Sequence, residues 1–367
     1  MYLIDRRFFR YFDWITAGLL VLLSIIGLVF VYSATYKPEL PYSLFFKKQM
    51  LGLCGAIIIF FACSCINYKT IMRWGYFGYL VCLLALAFTL IKGSIGMGGQ
   101  RWINLGIFKV QPSELTKLLF PTAATFYFYT QRDVLACTFT EFLPLLSLLA
   151  IGCLLILKQP DLGTALVILF SGLTILWLAG LSRWFFSVLA VVSIIGSPLL
   201  WHTLKPYQQQ RILVFLGYGE RRKERYQIEQ SQIAIGSGGL YGKGFLQGTQ
   251  NKLHFLPEGR TDFIFSVMCE EIGFCGVLVI LFVYLLLFAR CFVIIGTVHS
   301  PFAQLLAAGL LLPVLFSALI NIAMVTGLLP AVGIPLPLIS YGLCNLWVTF
   351  AAFGVFNAIS MSRFYVT

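Results

Sequence analysis

Charged residues are scarce in this chain. Asp, Glu, Lys and Arg make up only 11% of its 367 residues, whereas 59% are hydrophobic and the mean hydropathy is +0.90. Linkers rich in Ser or Pro are missing as well. This composition excludes a soluble domain, and the apolar stretches that recur along the chain predict an all-α polytopic membrane protein. We expect one integral membrane domain, residues 1–367.

Metal-ligand and cofactor patterns are missing too. The three histidines are scattered, and the ten cysteines show no CxxC spacing and lie mostly in apolar stretches. The sequence therefore predicts neither a disulfide framework nor a histidine-based metal site. The glycine-rich segment "GSGGLYGKG" (236–244) does not fit the GxxxxGK[ST] phosphate loop. No nucleotide or organic cofactor is expected.

Apolar stretches of membrane-spanning length are what the chain has in abundance. A window of about 19 residues finds ten of them, which places both termini on one side of the membrane. The first is too long for a signal-peptide core, so we expect it to remain as a helix. The predicted spans are 14–34, 49–66, 74–91, 114–130, 142–158, 164–181, 185–201, 263–289, 302–325 and 342–360.

The longer polar connections all open on one face by this count, because even numbers of spans separate them. They include residues 92–114, 158–163 and the long loop 202–262. Arginines before the first span favour a cytoplasmic N-terminus. Sixteen Lys and Arg residues on the loop-bearing face, against nine on the other, point the opposite way. Charge alone therefore leaves the orientation open, although a basic face suits an anionic substrate.

Three acids stand at predicted helix starts on that face. They are Glu114 in "VQPSELTK", Asp161 in "KQPDLG" and Asp262 in "GRTDFIF", where we predict Thr261 as N-cap and Asp262 in the first turn. Capping explains each acid singly but not all three on one face. Helix N-termini that converge on a cavity form an anion site. Carboxylates there must take protons, hold a metal or pair with cations.

Lys117 lies three residues after Glu114, on the same helical face and one turn deeper. The two side chains form either a structural ion pair or part of a substrate cavity, and the sequence leaves both possibilities open. Glu270 and Glu271 follow Asp262 by eight and nine residues and point in different directions around the helix. We expect both to have structural roles.

The long loop contains two distinct segments. The charge run "GERRKERYQIEQ" (219–230) predicts an amphipathic segment on the membrane surface. The glycine-rich segment that follows predicts a flexible loop that closes over a substrate.

Together these motifs resemble those of the SEDS family (shape, elongation, division and sporulation), and in particular its RodA branch. The family usually has SYGGS where this chain has "SYGLCN", and often a histidine before TDFIF where this chain has Gly259 and Arg260. The resemblance runs in order through "GMGGQRWINLGIFKVQPSELTK", "KQPDLGTA", "PYQQQRI", "IAIGSGGLYGKGFLQGTQNKLHFLPEGRTDFIF", "EEIG" and "GIPLPLISYG".

The resemblance implies a ten-helix protein of the cytoplasmic (inner) membrane, with cytoplasmic termini and the loop 202–262 outside. It implies a peptidoglycan glycosyltransferase of cell-wall elongation that polymerises lipid II, a disaccharide linked to undecaprenyl diphosphate. Implied partners are lipid II, a class B penicillin-binding transpeptidase and other elongation-complex proteins, and no nucleic acid. In the family the aspartate matching Asp262 is catalytic. Residues matching Glu114, Lys117 and Asp161 act in a central cavity.

Glycosyl transfer from a lipid diphosphate needs a base for the acceptor hydroxyl and stabilisation of the departing diphosphate. Asp262 suits the first role, and Lys117 and Arg101 suit the second. A divalent cation, Mg²⁺ or Mn²⁺, that assisted them would share its ligands with the substrate. The alternatives are a flippase for the same lipid and a scaffold for a transpeptidase. A flippase needs polar groups through the full membrane depth, whereas these acids cluster at one face, which favours chemistry.

Overall fold

The computed structural model describes residues 10–96, 99–104, 106, 109–131, 139–204, 206–218, 222–252, 255–256 and 258–364. The extreme termini lie outside these residues, and so do Arg6 and Arg7, on which the sidedness argument partly depends. His254 and Cys137 also lie outside them.

Helices dominate the described residues, with one small antiparallel sheet. Each of the ten predicted spans falls on a helix, so hydropathy located the elements correctly. In chain order the elements are α1 (Trp14–Thr35), α2 (Leu44–Cys65), α3 (Tyr68–Lys92), β1 (Ser94–Gly96), β2 (Gly99–Asn104), β3 (Lys109–Val110), α4 (Pro112–Gln131), α5 (Phe139–Lys158), α6 (Leu162–Leu178), α7 (Arg183–Thr203), α8 (Pro206–Phe215), α9 (Arg222–Gly238), α10 (Thr249–Lys252), α11 (Ile264–Thr297), α12 (Pro301–Val325) and α13 (Leu343–Ser362).

Seven of the described helices are long and apolar enough to cross a membrane, namely α1, α2, α3, α5, α11, α12 and α13. Helices α6 and α7 are apolar but shorter. Helix α4 is less apolar because it carries Glu114, Lys117 and several threonines. The chain is therefore a mainly helical, multi-pass membrane protein, and the count of ten spans stays a prediction.

Two apolar clusters form the interior. The larger joins α1, α2, α11, α12 and α13 with the segment 331–339. The second joins α3, α4, α5 and α6. Helix α12 contributes side chains to both clusters, for example Leu306 to the first and Leu305 to the second.

The long connection between α7 and α11 is more firmly packed than the sequence predicts. Its charge run leads into α9, which packs against α11 and α12. The Ser231 hydroxyl lies 2.7 Å from the Ser266 hydroxyl and donates to the Val325 carbonyl at 2.8 Å. These buried contacts begin at Ser231, just past the charge run, whose residues 226–230 are exposed or half-buried. A surface position for the charge run itself therefore stays a prediction.

The glycine-rich segment is anchored rather than loose, which corrects the predicted flexible loop. Helix α11 breaks at Gly273, where φ is +66°. A Cβ on Gly242 would lie 2.2 Å from the Glu271 carbonyl oxygen, so only glycine permits this close approach. The Glu270 carboxylate accepts hydrogen bonds from Lys243 Nζ at 2.7 Å and from the Thr249 backbone N–H at 2.8 Å. These contacts hold the segment on α11.

Glu270 therefore ties a loop to a helix. Glu271 accepts a hydrogen bond from the Ser33 hydroxyl of α1. Both contacts agree with the structural roles expected for these two acids.

Candidate active site

Arg101 positions the turn between α5 and α6. It lies on β2, and its Nε donates to the Gln159 carbonyl at 2.9 Å while Nη2 donates to the Pro160 carbonyl. Its Nη1 lies 3.8 Å from Asp161 Oδ2. Two nitrogens of the guanidinium thus bond to backbone carbonyls, and the third faces the Asp161 carboxylate.

Asp161 is the N-cap of α6, as predicted for an acid at this helix start. One carboxylate oxygen accepts from the Thr164 backbone N–H at 3.2 Å. The other accepts from Gln111 Nε2 at 3.0 Å, and the residue is only 3% exposed. Asp161 therefore joins the start of α6 to Gln111, the residue immediately before α4.

Glu114 and Lys117 form the predicted pair on α4. Helix α4 begins at Pro112, and Lys117 Nζ lies 2.8 Å from Glu114 Oε1, with both side chains buried. The pair also lines a cavity of about 310 Å³ of empty space between α4, α12 and α13, together with Ser317, Asn345 and others. The ion pair is thus also part of a cavity wall, and neither of the two predicted roles is excluded.

Asp262 occupies a different position from the one predicted. Helix α11 begins at Ile264, and its N-cap is Phe263, which makes no side-chain capping bond. The prediction of Thr261 as N-cap with Asp262 in the first turn was therefore wrong. The physical reason lies in two distant side chains, from α12 and from the connection before α13. The Ser340 hydroxyl donates to the Thr261 carbonyl at 2.6 Å, and the Asn321 amide donates to the Asp262 carbonyl at 2.8 Å.

In this geometry the oxygens of the Asp262 carboxylate remain available to a ligand. Within the described residues it accepts no hydrogen bond and forms no ion pair. Gly333, with φ at +74°, faces it so closely that an added Cβ would lie 3.4 Å from Asp262 Oδ2. The backbone of Asp262 is fixed while its side chain is free to act on a ligand.

Burial, and after it the negative charges of Glu258 and Asp161, raise the pKa of Asp262 to about 7. Arg211 and Arg101 act in the opposite direction. A carboxyl group that titrates near neutral pH can accept a proton effectively and release it again. The surroundings of Asp262 therefore suit a carboxyl group that exchanges a proton near neutral pH.

Arg211 is a site residue that the sequence reasoning missed. It lines a second cavity, of about 330 Å³ of empty space, with Leu162, Gln208, Pro330 and other residues. The cavity therefore lies beside both the start of α6 and the segment that contains Gly333. The motif "PYQQQRI" was a signal for it, but that motif alone assigned no role to its arginine.

The five predicted site residues thus fall into connected groups. Arg101 and Asp161 are in contact, and both act electrostatically on Asp262. Glu114 and Lys117 line a separate cavity. Gln111 links the groups, because it bonds to Asp161 and directly precedes α4. In the part of the chain that the structure describes, no three His, Cys, Asp or Glu residues are grouped as metal ligands.

Comparison with known proteins identifies the family of the chain. The model of the FtsW/RodA/SpoVE family, described as cell cycle proteins, matches residues 13–365. The chain belongs to this family. The SEDS resemblance inferred from the motifs is thereby confirmed.

Curated relatives are similar over most of their length. The peptidoglycan glycosyltransferase MrdB of Escherichia coli K12 is 40% identical over 319 residues, which cover 86% of each chain. MrdB of Helicobacter pylori 26695 is 31% identical over 98% of this chain and 93% of its own. Stage V sporulation protein E of Bacillus subtilis 168 is 34% identical over 359 residues.

Solved structures share the fold. The rod shape determining protein RodA of Thermus thermophilus superposes with a TM-score of 0.71 at 26% identity, covering 97% of this chain and 98% of its own. A chain from a peptidoglycan synthase complex, solved to show how polymerization and crosslinking are coordinated, gives a TM-score of 0.80 at 26% identity and covers 96% of this chain.

The departure from the family's SYGGS motif is accommodated by packing. Leu343 begins α13 and packs over Gly52 of α2, where an added Cβ would lie 2.3 Å from Leu343 Cδ2. Asn345 lines the cavity of Glu114 and Lys117. The larger side chains therefore fill space next to the site without closing that cavity.

Proposed function

We propose that this chain is a peptidoglycan glycosyltransferase that polymerises lipid II into glycan strands during cell elongation. The observation that carries the proposal is the Asp262 carboxylate. It has a pKa near 7 and no hydrogen-bond partner among the described residues, and the charges of Arg101 and Arg211 act on it. The names of the similar MrdB and RodA proteins support the same activity.

In the proposed reaction Asp262 accepts the proton of the acceptor 4-hydroxyl. The oxygen then bonds to C1 of the donor sugar as the bond from C1 to the phosphate oxygen breaks. Undecaprenyl diphosphate departs with the bond's electron pair. Arg211 and Arg101 stabilise the diphosphate as negative charge develops on the leaving oxygen. Lys117, paired with Glu114, lines the separate cavity between α4, α12 and α13 and is assigned to substrate binding.

Cation assistance stays a prediction. Mg²⁺ and Mn²⁺ prefer oxygen ligands and often complete their coordination with substrate phosphates. Asp262 and Asp161, which interact electrostatically, are the carboxylates that would share such an ion with the diphosphate. Adding EDTA and then restoring Mg²⁺ or Mn²⁺ would measure the dependence of polymerisation directly.

The proposed topology has ten spans in the cytoplasmic membrane, cytoplasmic termini and a single domain. The loop 202–262 and the helix starts that carry Glu114, Asp161 and Asp262 then face the outer leaflet. Accessibility of single cysteines introduced at Tyr218 and Lys69 to a membrane-impermeant thiol reagent tests this topology, in a variant whose exposed native cysteines are replaced. Labelling at Tyr218 but not at Lys69 in intact cells is expected, because Lys69 is exposed in the connection before the third span.

A separate transpeptidase completes the proposal. The chain has no SxxK motif, so cross-linking requires another protein. A neighbouring structure comes from a complex that coordinates polymerization and crosslinking, which supports a class B penicillin-binding partner. Co-purification with such a partner is expected. Full polymerising activity in isolation, with no transpeptidase recovered, would count against the partnership.

The decisive experiment incubates purified protein, with its partner, with lipid II and resolves the products on a gel. Glycan polymer that disappears in Asp262→Asn supports the proposal. Transfer of lipid II across vesicles without polymer would instead identify a flippase. The absence of both activities, together with partner binding, would identify a scaffold.

A further inference from the structure

A third arginine near the site, Arg260, has a guanidinium with no hydrogen-bond or ion-pair partner among the described residues. Arg260 lies two residues before Asp262, and its backbone carbonyl accepts a hydrogen bond from the Tyr341 N–H at 3.0 Å. Its Nε is buried and unbonded, and its guanidinium makes no hydrogen bond or ion pair within the described residues. Guanidinium groups only donate, and a buried donor without an acceptor is costly. A ligand that supplies acceptors would remove that cost.

Aromatic rings hold this guanidinium in place. Arg260 Cζ lies 4.0 Å from the centroid of the Phe45 ring, at the start of α2. Phe45 in turn packs edge-to-face on Tyr341, with ring centroids 5.3 Å apart. The contact with Phe45 leaves the terminal Nη groups of Arg260 without a hydrogen-bond partner among the described residues, and open guanidinium donors suit the oxygens of a phosphate or carboxylate.

The surroundings of Arg260 differ from those of the arginines already assigned. Arg101 contacts the turn between α5 and α6, and Arg211 lines a cavity with the start of α6. Arg260 instead contacts α2 and the residue that precedes Gly342, the N-cap of α13. Arg260 therefore contacts different elements of the bundle from those that Arg101 and Arg211 contact.

The position of the Arg260–Phe45 contact, near the starts of two membrane helices, favours a phosphate ligand over other anions. Helices α2 and α11 both begin within a few residues of this contact, so it lies where apolar spans end and lipid phosphates are found. Exposed apolar side chains adjoin the start of α2, with Leu40 67%, Tyr42 59% and Leu44 62% exposed. A ligand with a phosphate next to a hydrocarbon chain matches both features.

We propose that Arg260, stacked on Phe45, binds the diphosphate of an undecaprenyl-linked substrate at a contact separate from Arg101 and Arg211. This inference rests on the proposed function, because it takes the substrate to be lipid-linked.

The test measures binding of undecaprenyl diphosphate to the full chain in nanodiscs, beside polymerisation of lipid II. Arg260→Gln is expected to weaken binding about tenfold, the loss of one charge-assisted hydrogen bond, and to raise KM more than it lowers kcat. Arg260→Lys should recover part of the affinity because it keeps the charge. Phe45→Leu should weaken binding less than Arg260→Gln. The matched control Glu271→Gln, whose carboxylate contacts Ser33 outside the proposed chemistry, should keep both binding and polymerisation.

Three results would overturn the assignment. Unchanged affinity in both Arg260→Gln and Phe45→Leu would remove Arg260 from the site. Equal loss in Arg260→Lys and Arg260→Gln would make the effect structural rather than ionic. Weakened binding of lipid II with unchanged binding of undecaprenyl diphosphate would assign Arg260 to a peptide carboxylate instead. A wild-type chain that binds undecaprenyl diphosphate through Arg260 yet forms no polymer would reject the proposed function and leave this contact standing.

Discussion

Two aspartates at opposite ends of α11 show how differently this chain uses buried acids. Asp13 contacts Arg290 near the C-terminal end of α11. The Asp13 carboxylate also caps α1 by accepting a hydrogen bond from the Thr16 backbone N–H, and it accepts a second one from the Thr16 hydroxyl at 2.5 Å. Arg290 Nη2 lies 2.7 Å from it. Asp262, at the other end, has no such partner within the described residues. An acid whose acceptors are filled contributes to folding, whereas an acid held in place with its acceptors unfilled is available for chemistry.

The Glu114–Lys117 pair lies between these extremes. Its ion pair, at 2.8 Å, is as short as that of Asp13 and Arg290. Unlike the latter, it lines a cavity. A buried ion pair is weak evidence for stability, because desolvation can exceed the Coulombic gain. The comparison therefore predicts a functional pair at one end of the bundle and a structural pair at the other.

The largest effect is expected from Asp262→Asn. Asn preserves the shape of the side chain but cannot accept the hydroxyl proton. We expect polymerisation to fall by at least ~100-fold, the low end of the contribution of a general base. The measurement is lipid II polymerisation by the purified variant, with membrane insertion and partner binding unchanged.

Glu271→Gln is the matched control, because Glu271 contacts Ser33 and lies outside the proposed chemistry. It should be far milder. Substantial polymer from Asp262→Asn would remove Asp262 from catalysis. A variant that no longer inserts would make Asp262 a structural residue like Asp13.

Lys117→Met is expected to have the next largest effect. If Lys117 binds the substrate diphosphate, losing one charged hydrogen bond costs about 1.5–3 kcal/mol, or roughly 10- to 100-fold in activity. Removing Lys117 alone also leaves Glu114 buried without its cation. The double variant Glu114→Gln/Lys117→Met should therefore recover thermal stability but not polymerisation. An active double variant would assign the pair to folding alone.

The pH dependence should follow the pKa of Asp262, which lies near 7. The base acts when deprotonated, so kcat/KM should fall as pH drops through about 7 and level off above it.

Folding stability should depend on pH in the opposite direction, decreasing as the pH rises. An acid whose pKa is raised on folding binds protons more tightly in the folded state, so its contribution to stability is lost as pH rises from about 4 to 7. Asp262→Asn should therefore remove this loss, which thermal unfolding at pH 5 and pH 8 can measure. A pH profile of kcat/KM that is flat between 5 and 8 would contradict the assignment.

Local sequence patterns predicted the parts of this protein that local physics determines. Each of the ten stretches that hydropathy selected falls on a helix, and the three-residue spacing predicted the contact of Glu114 with Lys117. The start of α11 was predicted wrongly because Asn321 and Ser340, 59 and 79 residues from the carbonyls they bond, compete with helix formation there. No local pattern carries that information. Arg211 was missed for the same reason, since only the tertiary fold brings it to the site.

The smallest effect on polymerisation is expected from Asp13→Asn, which tests the structural end of the comparison. Asn caps a helix about as well as Asp, so α1 should still begin at Trp14. The variant loses the negative charge that faces Arg290 and leaves a guanidinium whose side chain is 35% exposed. Because water reaches that group, the loss of stability should stay below the 3–5 kcal/mol of a fully buried pair. We expect a lower Tm with polymerisation within about twofold of wild type at a temperature where both proteins are folded.

The variants Asp13→Asn and Asp262→Asn should then have different effects, because the first changes stability and the second changes activity. A folded Asp13→Asn protein with strongly reduced polymerisation would show that the two ends of α11 are coupled, and the division between structural and chemical acids would have to be abandoned.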